Sequence, residues 1–339
     1  MSSIDPVHWD RALELVRAAR KVLLLGHVAP DGDALGSALA FGLAVTRQDP
    51  TKVVQVSFGD EPFIVPANLQ SLPGLSLLVP PSEVASDLDL VISFDASSAD
   101  RLGTLRELAE SAPHLIVVDH HASFDGFGDT PLVDTAAPAT AVVVDEFITK
   151  LGVELDGDIA TCLYTGLVTD TGSFRYSGTS AATHEFAGRL LETGIPFDEI
   201  SRELFDDAPF GYLKLLGNAL TRATLDTRAA GGLGMVWTMV PASERMADGL
   251  AFDLVEPIID VVRKASEAEV AVVVKEDDDG ELRISLRSKG HVDVSKVASR
   301  LGGGGHVYAA GFTASSRDPD VVVAAIVEQL AAASGAPVS

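Results

Sequence analysis

The sequence predicts a two-domain α/β protein: an N-terminal domain on a mainly parallel sheet flanked by helices, followed by a smaller α/β domain. Three observations predict it. Short, nearly continuous apolar runs alternate with helical patterns through the first third of the chain, as expected for strands covered on both faces. After residue 134 the pattern turns mainly helical. Strand-like runs then return beyond a glycine cluster at 231–234.

Taken in order, the first strands are expected at 21–25 (KVLLL), 52–58 (KVVQVSF), 88–94 (LDLVISF) and 115–118 (LIVV). Leu35, Leu39 and Leu43 recur at helical spacing, which predicts a helix over 34–48, and a second is expected over 102–110. Further helices are expected at 139–151, 157–169 and 181–193, with one helical stretch over 197–222. Strands follow at 235–240, 268–275 and 281–288, the last two joined by the turn Asp277-Asp278-Asp279-Gly280. Helices at 292–300 and 318–333 complete the pattern, and the Ala-rich tail 331–339 is expected to fray. The domains are therefore expected at 1–200 and 226–339, with 201–225 as a helical connector.

Composition narrows the function. Of 339 residues, 47% are apolar, enough for sizeable cores, and the net charge is −24. So acidic a surface suits poorly a protein that tracks long nucleic acid on broad basic faces. It does not exclude a small anionic ligand where cations and a few arginines reverse the local field. The single cysteine, Cys162, rules out an intrachain disulfide and reads as a small core residue. The start is polar and acidic, and no run approaches the ~20 apolar residues of a membrane span, so a cytoplasmic protein with no membrane partner is expected.

The chemistry-bearing residues gather at strand ends. His27, Asp31 and Asp33 follow the first strand with Pro30 and Gly32 between them. Asp31 or Asp33 can also cap the next helix, and the two roles are compatible. The third strand runs into Asp95, the fourth into Asp119-His120-His121, and a later apolar helix into Asp170, with Gly172 suited to a left-handed cap. In an open α/β sheet, strand C-termini edge the ligand crevice. So many carboxylates in one crevice repel unless cations neutralise them, and two divalent ions would relieve the repulsion and supply a hydrolytic centre. Oxygen and imidazole donors without thiolate suit Mn²⁺, with Fe, Co or Zn next and Mg²⁺ less natural.

In the C-terminal half, Gly302-Gly303-Gly304-Gly305-His306 offers backbone that an anion can approach closely, although glycine runs also serve as plain connectors. Arg287, ending a strand, reads equally as a phosphate anchor or a solvated charge. Arg175 could reach substrate or pair with the acidic surface. His8, His114, His184 and His291 are expected to be surface or satisfied histidines, and Trp9 and Trp237 packing residues.

The set His27/Asp31/Asp33, Asp95, Asp119-His120-His121 and Asp170 resembles the four motifs of the DHH phosphoesterase family, in order. The glycine-rich His306 segment resembles the family's DHH-associated domain, so the likeness spans essentially the whole chain. It implies that His27, Asp31 and Asp95 hold one metal, and that Asp33, Asp95, His120 and Asp170 hold a second, Asp95 bridging. Asp119 would orient its neighbours and His121 would face the scissile phosphate. Substrate would meet Arg287, Gly303, Gly304, Gly305 and His306. Within the family, the compact architecture is similar to bacterial oligoribonucleases that also hydrolyse 3′-phosphoadenosine 5′-phosphate. That implies Mn²⁺-dependent hydrolysis of short RNA, two to five nucleotides long, or of small phosphorylated nucleotides. A cyclic or linear dinucleotide phosphodiesterase, a non-catalytic nucleotide sensor and an inorganic pyrophosphatase are the alternatives, and the resemblance allows a homodimer.

Overall fold

The computed structural model describes residues 4–176, 178–305 and 307–333. It divides into two compact units, Met1–Asp207 and Ala208–Ser339.

The first unit holds five strands: β1 (Lys21–Gly26), β2 (Val53–Phe58), β3 (Leu90–Phe94), β4 (Leu115–Asp119) and β5 (Thr130–Val133). Every pairing is parallel and the order is β2-β1-β3-β4-β5. The chain leaves β1 toward one edge and returns on its other side, so the order reverses between β1 and β3. Their C-terminal ends flank the point where such sheets open a crevice. β3 and β4 are buried along their whole length, which explains their unbroken apolar runs. The edge strand β5 was not legible, because Pro131 breaks the strand signal; at an edge its missing amide is tolerated.

Helix Pro6–Ala18 is likewise an addition. Its sequence is polar overall, yet Trp9, Ala12, Leu15 and Val16 form one buried stripe, and Asp5 accepts from the Val7 amide at 2.9 Å to cap its start. Trp9 packs edge-on to Phe147, ring centres 5.5 Å apart. The helix expected over 102–110 is instead a 3₁₀ stretch, Ala99–Leu105, kinked from within by Gly103 at φ 56°, followed by the short helix Arg106–Ser111. The helical stretch expected over 197–222 is two helices, Phe197–Phe205 and Phe210–Arg222. Pro209 stops the first from continuing, because proline disfavours a helical residue before it and offers no amide. The division between units falls at 207/208, and helix Phe210–Arg222 belongs to the second unit, with Leu215 and Ala219 in one of its cores.

Two helices position the site. Gly32–Gln48 and Gly157–Asp170 run so close that a Cβ on Gly36 would stand 2.4 Å from the Cys162 carbonyl oxygen, and one on Gly166 2.6 Å from Asp33 Oδ1. Only glycine permits that approach. It sets the start of one helix beside the other, and Asp33 against it.

The second unit is a mixed six-stranded sheet: β6 (Thr224–Asp226), β7 (Met235–Val240), β8 (Val270–Glu276), β9 (Leu282–Ser288), β10 (Gly304–Gly305) and β11 (Ala309–Thr313), in the order β10-β11-β9-β8-β7-β6. Only β7 and β8 pair in parallel. Asp277 closes the β8–β9 hairpin, its carboxylate accepting from the Asp279 and Glu281 amides. Val270, Val272 and Val274 share one core with residues of helices Val294–Arg300 and Pro319–Ala333; Ala271 and Val273 face another with Leu215, Ile258 and Ile259. Among the described residues no helix is long and apolar enough to cross a membrane.

Candidate metal centre

Asp31 begins the arrangement by doing two things at once. Its Oδ1 accepts from the amides of Asp33 and Ala34, capping helix Gly32–Gln48, while its Oδ2 lies 3.7 Å from His27 Nε2. His27 is buried, and the same Nε2 lies 3.5 Å from Asp95 Oδ2. The His27 Nδ1 stands 2.8 Å from its neighbour Val28's carbonyl oxygen. An Nδ1–H donated there leaves Nε2 turned to the carboxylates, where a cation would take the place of its proton, the usual arrangement of a metal-binding imidazole.

Asp95 follows β3 with φ at 59°, a left-handed conformation that a side-chain-bearing residue seldom adopts. Its carboxylate is buried at the centre of the cluster. Around it stand His27, His120 Nε2 at 3.6 Å and His121 Nδ1 at 3.6 Å from Oδ1. These imidazoles hold the Asp95 carboxyl below the usual range despite the opposing effect of burial.

β4 delivers the next group. Asp119 Oδ1 accepts from His121 Nδ1 at 2.7 Å and from the His120 amide at 2.8 Å. His120 Nδ1 is 3.1 Å from the Ala137 carbonyl oxygen, so its Nε2 faces Asp170 Oδ2 at 2.9 Å. Asp170 ends helix Gly157–Asp170, and Gly172 beyond it is left-handed at φ 56°.

Asp33 is wholly buried and caps a helix remote from it in sequence. Its Oδ2 accepts from the Thr140 amide at 2.6 Å and its Oδ1 from the Ala141 amide at 2.9 Å, the free donors at the start of helix Thr140–Leu151. Burial, then the Asp95 charge, pushes its carboxyl well above the ordinary range.

All eight expected N-terminal residues thus fall in one place. Three groups have donor atoms within 4.8 Å of one another: His27, Asp31 and Asp95; Asp33, His120 and Asp170; Asp95, His120 and His121. The donor set fits divalent cations on a further ground. Asp119 Oδ2 is buried without a hydrogen bond, where burial of an unpaired polar atom is costly.

In the second unit, Arg287 donates through Nη1 to its own strand's Leu286 carbonyl at 3.1 Å. The glycines divide by role. A Cβ at Gly303 would meet the Gly311 carbonyl oxygen at 2.1 Å, and one at Gly305 the Ala310 Cα at 2.5 Å, so both serve the packing of β10 on β11; Gly304 faces open space. His306 lies outside the described residues. His291 is satisfied by Glu269 at 3.0 Å, His184 stacks on Phe174, and Arg175 bends back onto the Gly172 carbonyl.

Sequence reading missed three residues that support this site. Thr140 binds Asp33 through its amide and Asp95 Oδ1 through its hydroxyl at 2.8 Å. Arg101 Nη2 lies 3.0 Å from His27 Nδ1, a charged neighbour of the buried ring and not a hydrogen-bond donor to it while Nδ1–H is turned to Val28. Asp60 Oδ2 accepts from the Ala29 amide at 2.6 Å. Only Thr140 left a signal, as the first residue of a helix whose free amides seek an acceptor.

A sheet that presents an acidic, imidazole-rich cluster at its strand ends defines the class of site, a candidate centre for divalent cations. The sequence matches the DHH family, N-terminal domain, over residues 21–167 and the DHHA1 domain over 243–333. It is 30% identical over 332 residues to a bifunctional oligoribonuclease and PAP phosphatase, NrnA, of Thermus thermophilus, covering 96% of this chain and 94% of that one. It is 28% identical to the cyclic-di-AMP phosphodiesterase GdpP of Geobacillus thermodenitrificans, covering 94% of this chain and 47% of that protein. The fold is shared with an exopolyphosphatase-related protein from Bacteroides fragilis, with a TM-score of 0.89 at 23% identity, covering 98% and 97% of the two chains. The chain belongs to the DHH family.

Proposed function

We propose that this protein hydrolyses oligoribonucleotides of two to five nucleotides and removes the 3′-phosphate of 3′-phosphoadenosine 5′-phosphate in the cytoplasm, using two divalent ions, Mn²⁺ being the best match. The observation that carries this is the convergence of three strand ends and a helix end on one buried set of carboxylates and imidazoles. The relative from Thermus thermophilus, alike across both domains, supports the substrate.

In this reading His27, Asp31 and Asp95 hold one ion, and Asp33, Asp95, His120 and Asp170 the other. Bound there, the ions supply charge neutralisation at the phosphate and an activated water. The chain's own groups do the rest. Asp119 fixes the His121 ring at 2.7 Å and raises its pKa, so the imidazole carries a proton toward the phosphate or the leaving oxygen. Arg287, with Gly303, Gly304, Gly305 and His306, binds the substrate phosphate. Guanidinium suits that task through its planar fork of donors.

Likeness to GdpP favours a second reading, a phosphodiesterase of cyclic or linear dinucleotides. One panel decides: 3′-phosphoadenosine 5′-phosphate, diribonucleotides, cyclic dinucleotides and pyrophosphate, each with Mn²⁺ and with chelator. Chelator-sensitive turnover of the first two, faster than of the others, is expected. Intact diribonucleotide and intact 3′-phosphoadenosine 5′-phosphate would end the main reading.

A further inference from the structure

Ala29 stands midway between His27 and Asp31 with φ at 51°. That conformation is strained for any residue with a Cβ. It turns the chain so that His27 and Asp31, four residues apart, converge on Asp95. Something must hold it there, and the Ala29 amide donates to Asp60 Oδ2 at 2.6 Å.

Asp60 acts from a fixed base. The preceding residue, Gly59, accepts at its carbonyl from both the amide and the hydroxyl of Thr104, each at 3.1 Å. A Cβ on Gly59 would stand 2.0 Å from the Leu102 carbonyl oxygen, and one on Gly103 2.4 Å from Val28 Cγ1. The Val28 amide in turn donates to the Arg101 carbonyl at 2.8 Å. Three loops are therefore locked together, with Ala29 at their meeting point. Asp60 itself belongs to none of the three candidate ligand groups.

Resting on the reading of this cluster as a metal centre, we propose that Asp60 is a positioning residue. It clamps the left-handed turn at Ala29 and so sets His27 and Asp31 for their cation. The hydrogen bond, rather than the negative charge, is what matters. Asparagine in its place keeps the acceptor and loses the charge; alanine loses both. Glycine at position 29 adopts the same backbone without the Cβ penalty and needs the clamp less.

The test uses the full-length protein, titrated with Mn²⁺ by calorimetry, with Ala29 amide exchange followed in the metal-free state. Asp60→Ala should weaken Mn²⁺ binding by ~10-fold or more, the range for groups that orient metal ligands, and speed exchange at Ala29. Asp60→Asn should bind nearly as the parent does, and adding Ala29→Gly to Asp60→Ala should recover most of the loss. The proposal is overturned if Asp60→Ala binds Mn²⁺ as tightly as the parent. It is equally overturned if Asp60→Asn falls as far as Asp60→Ala, or if glycine at 29 recovers nothing. A parent protein that takes up no Mn²⁺ would instead remove the metal-centre reading beneath it.

Discussion

The Thr140 hydroxyl donates to Asp95 Oδ1 at 2.8 Å, tying the first turn of a helix to the carboxylate at the centre of the cluster. Its amide holds Asp33 as well, so one residue aligns two carboxylates from different elements. Thr140→Val keeps the shape and the amide but loses the hydroxyl. Mn²⁺ affinity should fall by ~10–100-fold with helix content unchanged, measured by calorimetry and circular dichroism. Unaltered affinity would mean that Asp95 is aligned without this contact.

Asp33 carries a structural duty along with its place in the cluster. Asp33→Ala leaves the buried amides of Thr140 and Ala141 without acceptors, which costs about 1–3 kcal/mol for each. Lost activity in that variant would therefore mix two causes. Asp33→Asn keeps a side-chain oxygen as acceptor, so its melting temperature should stay closer to the parent's. Its turnover should still fall beyond the ~10–100-fold typical of groups outside the ligand set. Near-parental turnover in Asp33→Asn would take this residue out of the chemistry.

Proton release should accompany metal uptake. Without a cation, burial opposes charge on His27 and His120. The carboxylates of Asp31 and Asp95 at one ring, and of Asp170, Asp33 and Asp95 at the other, outweigh it and raise both to about 10. Both lie above the unfolded value of about 6.5. The metal-free fold therefore keeps this stabilisation fully below about pH 6.5 and loses it as pH rises through about 10. A cation must displace the protons, so affinity should climb with pH between those limits. Binding heats at pH 7 should then vary with the ionisation enthalpy of the buffer. Heats independent of buffer would contradict bound protons at these rings.

Arg287→Ala should raise the Michaelis constant for diribonucleotide while leaving the turnover number nearly unchanged, since an anchor that takes no part in the bond change contributes uniform binding. A fallen turnover number with an unchanged Michaelis constant would count against anchoring.

Cys162 lies wholly buried in helix Gly157–Asp170, and burial pushes its thiol up. Thiol reagents should leave the native protein unmodified and label it once after denaturation. Rapid labelling of the folded chain would refute its core placement.

How much could be read without coordinates depends on the reach of each signal. β1, β3 and β4 were legible because strands buried on both faces are apolar throughout, and the motifs at their ends stood out against that background. β5 was hidden by Pro131, and helix Pro6–Ala18 by a polar majority around its buried stripe. The continuous helix expected over 197–222 failed at Pro209, a breaker visible in the sequence but outweighed by the helical composition on either side.

The amino-acid sequence by itself determined the alternating architecture, the DHH motifs and the identity of the residues that could share a cation. These depend on local periodicity and on side-chain chemistry, which a linear chain carries openly. Only the tertiary structure decided that Asp33 caps a helix more than a hundred residues away, that Thr140 joins it to Asp95, and that Asp60 clamps Ala29. Those contacts arise when glycine-to-backbone packing and the reversal of strand order bring distant segments within hydrogen-bond reach, and neither residue of such a pair announces its partner.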